Sequence, residues 1–204
     1  GPLSRPFRAD LAAHRASQAM SVADLQAAGE ALLEAIELQP RNGFYADGMA
    51  VVYEESGLPE LALREHERSA LLQPGIAYPA MNAAWAAARL NRFEAAGAWA
   101  ERAVLGDPYG PLVLTNSAEL FARIGDPRRA LVSLKRFGQL GFPGHVFSGP
   151  WRSAQKTYLQ LGEQASTEGD MSGAEEHFQA AAWASKCWGE GGGQIPVDCG
   201  MKPG

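Results

Sequence analysis

Apolar residues fall on one face at helical spacing through most of the chain. Leu25, Ala28, Leu32, Ala35 and Ile36 mark such a face, and Pro40 closes it because proline cannot continue a helix interior. Residues 10–20 have the alanine and leucine content of a preceding helix, which makes residues 9–42 one helical hairpin. Ser21 with Asp24 three residues on reads as a capping box for its second helix. In the next hairpin Met49, Val52 and Tyr53 lie on the first helix, Glu55-Ser56-Gly57 turns, and Pro59 sits in the first turn of the second. Residues 77–110 repeat the arrangement around Arg89-Leu90-Asn91-Arg92, with Asn91 as expected N-cap and Glu94 completing the box. Gly125-Asp126-Pro127 then offers turn, N-cap and first helical residue in succession.

These landmarks recur at one period. Pro40, Pro74 and Pro108 stand 34 residues apart, and the same step carries Ala28 to Ala62, Ala96 and Ala130. A fixed period of this length is the mark of stacked repeats. The hairpins are 9–42, 43–76, 77–110 and 111–144. Ten residues, 145–154, interrupt the period, and 155–188 resume it, with Gly162, Gly169 and Ala174 in the columns of Ala118, Gly125 and Ala130. The array thus spans 5–188, preceded by Gly1-Pro2-Leu3-Ser4, which looks like the remnant of a cleaved expression tag, and followed by a glycine-rich tail, 189–204.

Three columns hold small residues: Ala28, Ala62, Ala96, Ala130 and Ala174; Ala16, Ala50, Ala84, Ala118 and Gly162; and Ala35, Ser69, Ala103 and Ala181, broken by Phe137. Small side chains at fixed places let helices approach closely, while Leu32, Tyr53, Phe121, Leu134 and Phe178 fill the spaces between.

Composition narrows the function. Hydrophobic residues make up 46% and charged residues 20%, which suits a folded chain. The net charge of −5 and the lack of a clustered basic face argue against nucleic acid. No apolar run reaches the ~18 residues of a membrane span, so membrane attachment would need a segment absent from this sequence. The histidines at 14, 66, 145 and 177 have no metal-binding spacing, His66 falls in a packing column, and no phosphate loop or nucleophile elbow is present. No metal, cofactor or catalytic residue is expected.

The pattern resembles the tetratricopeptide repeat: a small residue and an aromatic in the first helix, a turn glycine, two small residues in the second helix and a closing proline. Here these are most complete as Ala50, Tyr53, Gly57, Ala62 and Pro74, then Ala84, Ala96, Ala103 and Pro108, then Gly125 and Ala130. The tryptophan usual early in the first helix is replaced by Ala12, Ala46, Ala80, Leu114 and Tyr158. The resemblance implies an all-α, right-handed solenoid of about five helical hairpins whose first helices line a concave groove. The groove residues would be Phe44, Asp47, Val51, Tyr78, Met81, Asn82, Trp85, Arg89, Thr115, Asn116, Glu119 and Arg123, with Leu112 beside them. Asn82 and Asn116 could pair with a peptide backbone, and Trp85, Tyr78, Met81 and Phe44 would supply apolar surface. The columns in which chaperone-binding relatives carry a basic clamp for a terminal carboxylate hold Asp47, Met81, Val51 and Trp85, which disfavours that ligand.

The expected function is therefore a scaffold, bacterial in style, that binds a protein or peptide partner. Arg5-Pro6-Phe7-Arg8-Ala9-Asp10 leading into repeats also looks like the extracytoplasmic tail of a membrane glycan polymerase or O-antigen ligase; a secretion or pilus-assembly lipoprotein is a further alternative. Localisation leans outside the cytoplasm. In the interruption, Phe147 and Trp151 are expected to plug the joint between the fourth and fifth hairpins; the alternative has the loop reach over the groove with His145. At the array's end, Trp183 and Trp188 crowd the last helix. Ile195, Pro196 and Val197 would fold back over it, pinned by a Cys187–Cys199 disulfide, or the face would form a homodimer.

Overall fold

The computed structural model describes residues 4–143 and 146–188. His145, Ile195, Pro196, Val197, Cys199 and the side chain of Trp188 lie outside the described residues, and with them the fold-back of the tail and the disulfide. The described chain is helical throughout: α1 (Arg5–Ser21), α2 (Leu25–Leu38), α3 (Gly43–Glu55), α4 (Pro59–Leu72), α5 (Ala77–Arg89), α6 (Phe93–Gly106), α7 (Pro111–Arg123), α8 (Pro127–Gln139), α9 (Ser148–Thr167) and α10 (Met171–Trp188). Among the described residues no helix is long and apolar enough to cross a membrane.

The chain divides into two compact units, the first ending at Gly106 and the second starting at Asp107. In the first, α1 pairs with α2, α3 with α4 and α5 with α6, while α2 packs on α3 and α4 on α5. The small columns close these contacts: Ala16, Ala50 and Ala84, Ala28, Ala62 and Ala96, and Ala35, Ser69 and Ala103 are all buried. In the second unit α7 pairs with α8 and α9 with α10. Ala118, Ala130, Ala174 and Ala181 are likewise buried there.

Five hairpin turns share one device. Ala23, Gly57, Asn91, Gly125 and Gly169 occupy one column, and all have positive φ, between 57° and 84°. After each, the next residue's N–H returns five residues, as Leu58 does to Tyr53 O (2.9 Å), Arg92 to Ala87 O (2.9 Å) and Asp126 to Phe121 O (2.8 Å). This is the left-handed helix stop that glycine adopts most readily and asparagine tolerates. Asn91 is therefore the terminator of α5 and not the N-cap of α6; Arg92 O accepts the first bond of α6, from Ala96 N (2.9 Å). Ser21 does not cap α2 either. It ends α1, its Oγ donating to Gln18 O, and Asp24 caps α2 by accepting from Ala27 N at 3.0 Å. A left-handed Ala23 puts Asp24, not Ser21, next to the free N–H groups. Asp126 caps α8 as the sequence predicts, accepting from Arg129 N at 2.9 Å.

The interruption is mostly helix, since α9 begins at Ser148. Phe137, the one bulky member of its small-residue column, is buried against Trp151 (ring centroids 4.6 Å) and Phe142 (5.5 Å), and Phe147 lies 5.0 Å from Phe142. Trp151 is itself buried and donates from Nε1 to Phe142 O at 3.0 Å. With this aromatic wedge in place, α9 packs along α7 and barely touches α8.

Candidate functional site

The polar side chains of α3, α4 and α5 converge on a cleft of about 240 Å³ in the first unit, lined by Asp47, Val51, Glu54, His66, Tyr78, Asn82, Trp85 and Arg89. Six of these eight are groove residues that the sequence places there, namely Asp47, Val51, Tyr78, Asn82, Trp85 and Arg89. The helical repeat explains the grouping: 47, 51 and 54 follow one stripe of α3, and 78, 82, 85 and 89 follow one stripe of α5.

At the floor His66 of α4 is only 3% exposed. Its Nδ1 lies 2.9 Å from Asp47 Oδ1 and its Nε2 3.3 Å from Glu54 Oε1. Asn82 Nδ2 donates to the same Asp47 oxygen at 3.1 Å, and the Arg89 guanidinium pairs with Glu54 Oε1. Burial of Asp47 opposes its ionisation, but the hydrogen bonds from His66 and Asn82 and the His66 charge outweigh it, holding the carboxyl below the usual carboxylate range. Three helices are thus tied by one polar network. The rim is open: Tyr78 is 67% exposed and Val51 37% exposed, and Phe44, one turn before Asp47 on α3, is 67% exposed. A larger hollow of about 560 Å³ opens beside the start of α3, but of the groove residues only Phe44 borders it.

Met81 and Thr115 do not line a groove. Met81 is 5% exposed and Thr115 is fully buried, its Oγ1 donating to Pro111 O at 2.9 Å. Both share the column of Asp47, where an apolar thioether or a hydroxyl satisfied by its own helix turns inward. In the second unit Asn116 is half-buried on α7 and Arg123 exposed. Glu119 is occupied by α9, accepting from Ser153 Oγ at 3.2 Å and Lys156 Nζ at 3.2 Å. His66 is the cleft residue that the sequence pattern puts in a packing column, and Glu54 counts there only among the charges of the groove. The available signal was spacing: acid and partner stand 35 residues apart in Glu54–Arg89 and Asp47–Asn82 alike. Among the described residues no group of His, Cys, Asp and Glu side chains could hold a metal ion.

No protein-family model and no curated protein matches the sequence. Solved structures of similar fold include MamA, with a TM-score of 0.67 and 16% identity over 93% of this chain and 98% of that one. YrrB, described as a TPR protein with an unusual peptide-binding site, has a TM-score of 0.63 and 17% identity over 83% and 82%. PilF of Pseudomonas aeruginosa has 0.61 and 18% over 94% and 80%. With the periodic small columns, the paired helices and the repeated left-handed turns, this likeness shows that the chain has the all-α fold of tetratricopeptide-repeat solenoids.

Proposed function

We propose that the chain is a protein-interaction scaffold that holds a peptide or an extended protein segment against the α3–α5 face of its first unit. The observation that carries this reading is the cleft itself: a hydrogen-bonded floor from His66, Asp47 and Asn82 beneath an open rim of Val51 and Tyr78, with the exposed Phe44 one turn before Asp47 on α3. Aromatic side chains around polar groups of fixed orientation are what a binding surface needs, since the floor is ordered before the ligand arrives. YrrB, of the same fold, is described by its peptide-binding site, which agrees with this use of the architecture. The membrane-polymerase and lipoprotein readings differ from a plain adaptor in what would precede residue 5, and they leave the chemistry of this face unchanged.

Selection from a displayed peptide library tests the proposal. Peptides enriched on the intact protein should lose at least tenfold in affinity on Tyr78→Ala with Phe44→Ala, two exposed positions whose loss leaves the helix content as it was. Undiminished binding would move the site off this face.

A further inference from the structure

Among the described residues the carboxylates of the cleft are only half used. In each, one oxygen takes every bond: Oδ1 of Asp47 takes His66 and Asn82, and Oε1 of Glu54 takes His66 and Arg89. Oδ2 of Asp47 and Oε2 of Glu54 keep their accepting capacity, on side chains that are 23% and 32% exposed. Tyr78, an electron-rich ring 67% exposed, lines the same 240 Å³. Acceptor oxygens and an exposed aromatic face around one small hollow are complementary to a cation with several N–H donors.

The geometry points to a basic side chain, arginine or lysine, as the part of the partner that this cleft receives. This rests on the α3–α5 face being the binding face, and it adds the chemistry of what is bound. The charged and titratable groups facing the hollow are Asp47 and Glu54 against Arg89 and, at the floor, His66, with the phenol of Tyr78. Arg89 is the resident competitor: it pairs with Glu54, and half of its side chain is in solvent. An incoming guanidinium or ammonium takes the unused oxygens and displaces Arg89 outward. The sign of Arg89's effect therefore distinguishes this proposal from a neutral groove, in which Arg89 would help to hold the ligand.

Acetyl-Ala-Ala-Arg-Ala-Ala-amide, its lysine counterpart and its citrulline counterpart serve as probes, followed by NMR through the Trp85 indole and Asn82 side-chain amide signals of the intact chain. Citrulline keeps the shape of arginine without its charge. The arginine peptide should shift these signals saturably, with at least tenfold weaker binding for citrulline. Asp47→Asn with Glu54→Gln should remove that preference while circular dichroism stays unchanged, and Arg89→Gln should tighten arginine binding several-fold. The lysine arm tells whether the planar fork or the charge alone is read. Equal shifts by arginine and citrulline would overturn the inference and leave the binding face standing. So would weaker arginine binding in Arg89→Gln. If none of the probes moves the cleft signals, the inference also falls, and the Tyr78 and Phe44 variants decide separately whether the face binds anything.

Discussion

Asn82 donates to Asp47 across 3.1 Å from a position 35 residues further along the chain, and Arg89 reaches Glu54, and Tyr45 reaches Asp10, over the same interval. The sequence repeats every 34 residues, so neighbouring first helices in this unit meet one residue out of step with their own repeat. A polar residue is thereby matched with the position after its counterpart in the next hairpin. The Asp47–Asn82 bond should show a coupling of about 1 kcal/mol in a double-mutant cycle of Asp47→Ala and Asn82→Ala, read by urea unfolding. The pH dependence has a definite sign. The folded-state pKa of Asp47 is depressed, so its contribution is present above the unfolded carboxylate value and is lost as pH falls through the folded one. Asp47→Asn should flatten the acid limb of the stability curve, and an unchanged limb would show that the network does not hold the charge.

The turn column gives a second prediction. Ala23 alone carries a β-carbon without a polar side chain at the left-handed position, with φ of 58°, where Gly57, Gly125 and Gly169 carry none. Ala23→Gly should stabilise the chain by about 1 kcal/mol, and Gly125→Ala, at φ of 80°, should cost a similar amount, although a β-carbon at Gly125 would meet no neighbouring atom. Chemical unfolding of both variants checks the pair. Equal and opposite shifts would identify backbone conformation, and not packing, as the cause.

Much of the architecture could be read from spacing alone because a closely packed helix pair has little room for bulk at the positions where the helices meet. Ala28, Ala62 and Ala96 are buried where the period puts them. The same reasoning fails for single side chains on a shared column. Asp47, Met81 and Thr115 have equivalent places, yet Asp47 meets the cleft while Met81 and Thr115 are buried, so a shared column does not by itself fix a side chain's exposure. The helix caps depart from their sequence patterns for a local reason. Ser21 and Asn91 have the chemistry of an N-cap, but one is held inside α1 and the other in the left-handed stop of α5, a choice made by the five-residue return bond. The network around His66 was hidden because its members come from three helices. Only the 35-residue interval links two of its pairs.

The aromatic wedge at the start of α9 should be a stability hot spot of the second unit. Trp151 is buried, edge-on to Phe137, with its indole N–H satisfied by Phe142 O. Trp151→Ala should cost about 3–5 kcal/mol. Trp151→Phe keeps most of the ring contact and removes the hydrogen bond, so it should cost about 1–2 kcal/mol. Thermal or denaturant unfolding of the two variants separates packing from hydrogen bonding. Near-equal losses would mean that the carbonyl of Phe142, not the ring, is what α9 depends on.

Small residues in the columns are not equally replaceable, and the difference follows from what surrounds them. Ala96 is fully buried at the centre of its column, so Ala96→Leu adds three carbons with nowhere to go and should cost about 1–3 kcal/mol. At Gly162 a new β-carbon would come within 2.6 Å of the Phe178 ring, closer than two carbons can pack. Phe178, however, is 40% exposed, so its ring can rotate outward instead of straining the backbone. Removing a glycine from the interior of α9 also recovers up to about 1 kcal/mol of helix propensity. The two effects oppose each other, and Gly162→Ala should change stability by less than about 1 kcal/mol. Urea unfolding of both variants gives the comparison. A loss at Gly162 as large as that at Ala96 would mean that Phe178 is locked in place, and that α9 and α10 meet through the ring as tightly as the hairpins of the first unit meet through alanine.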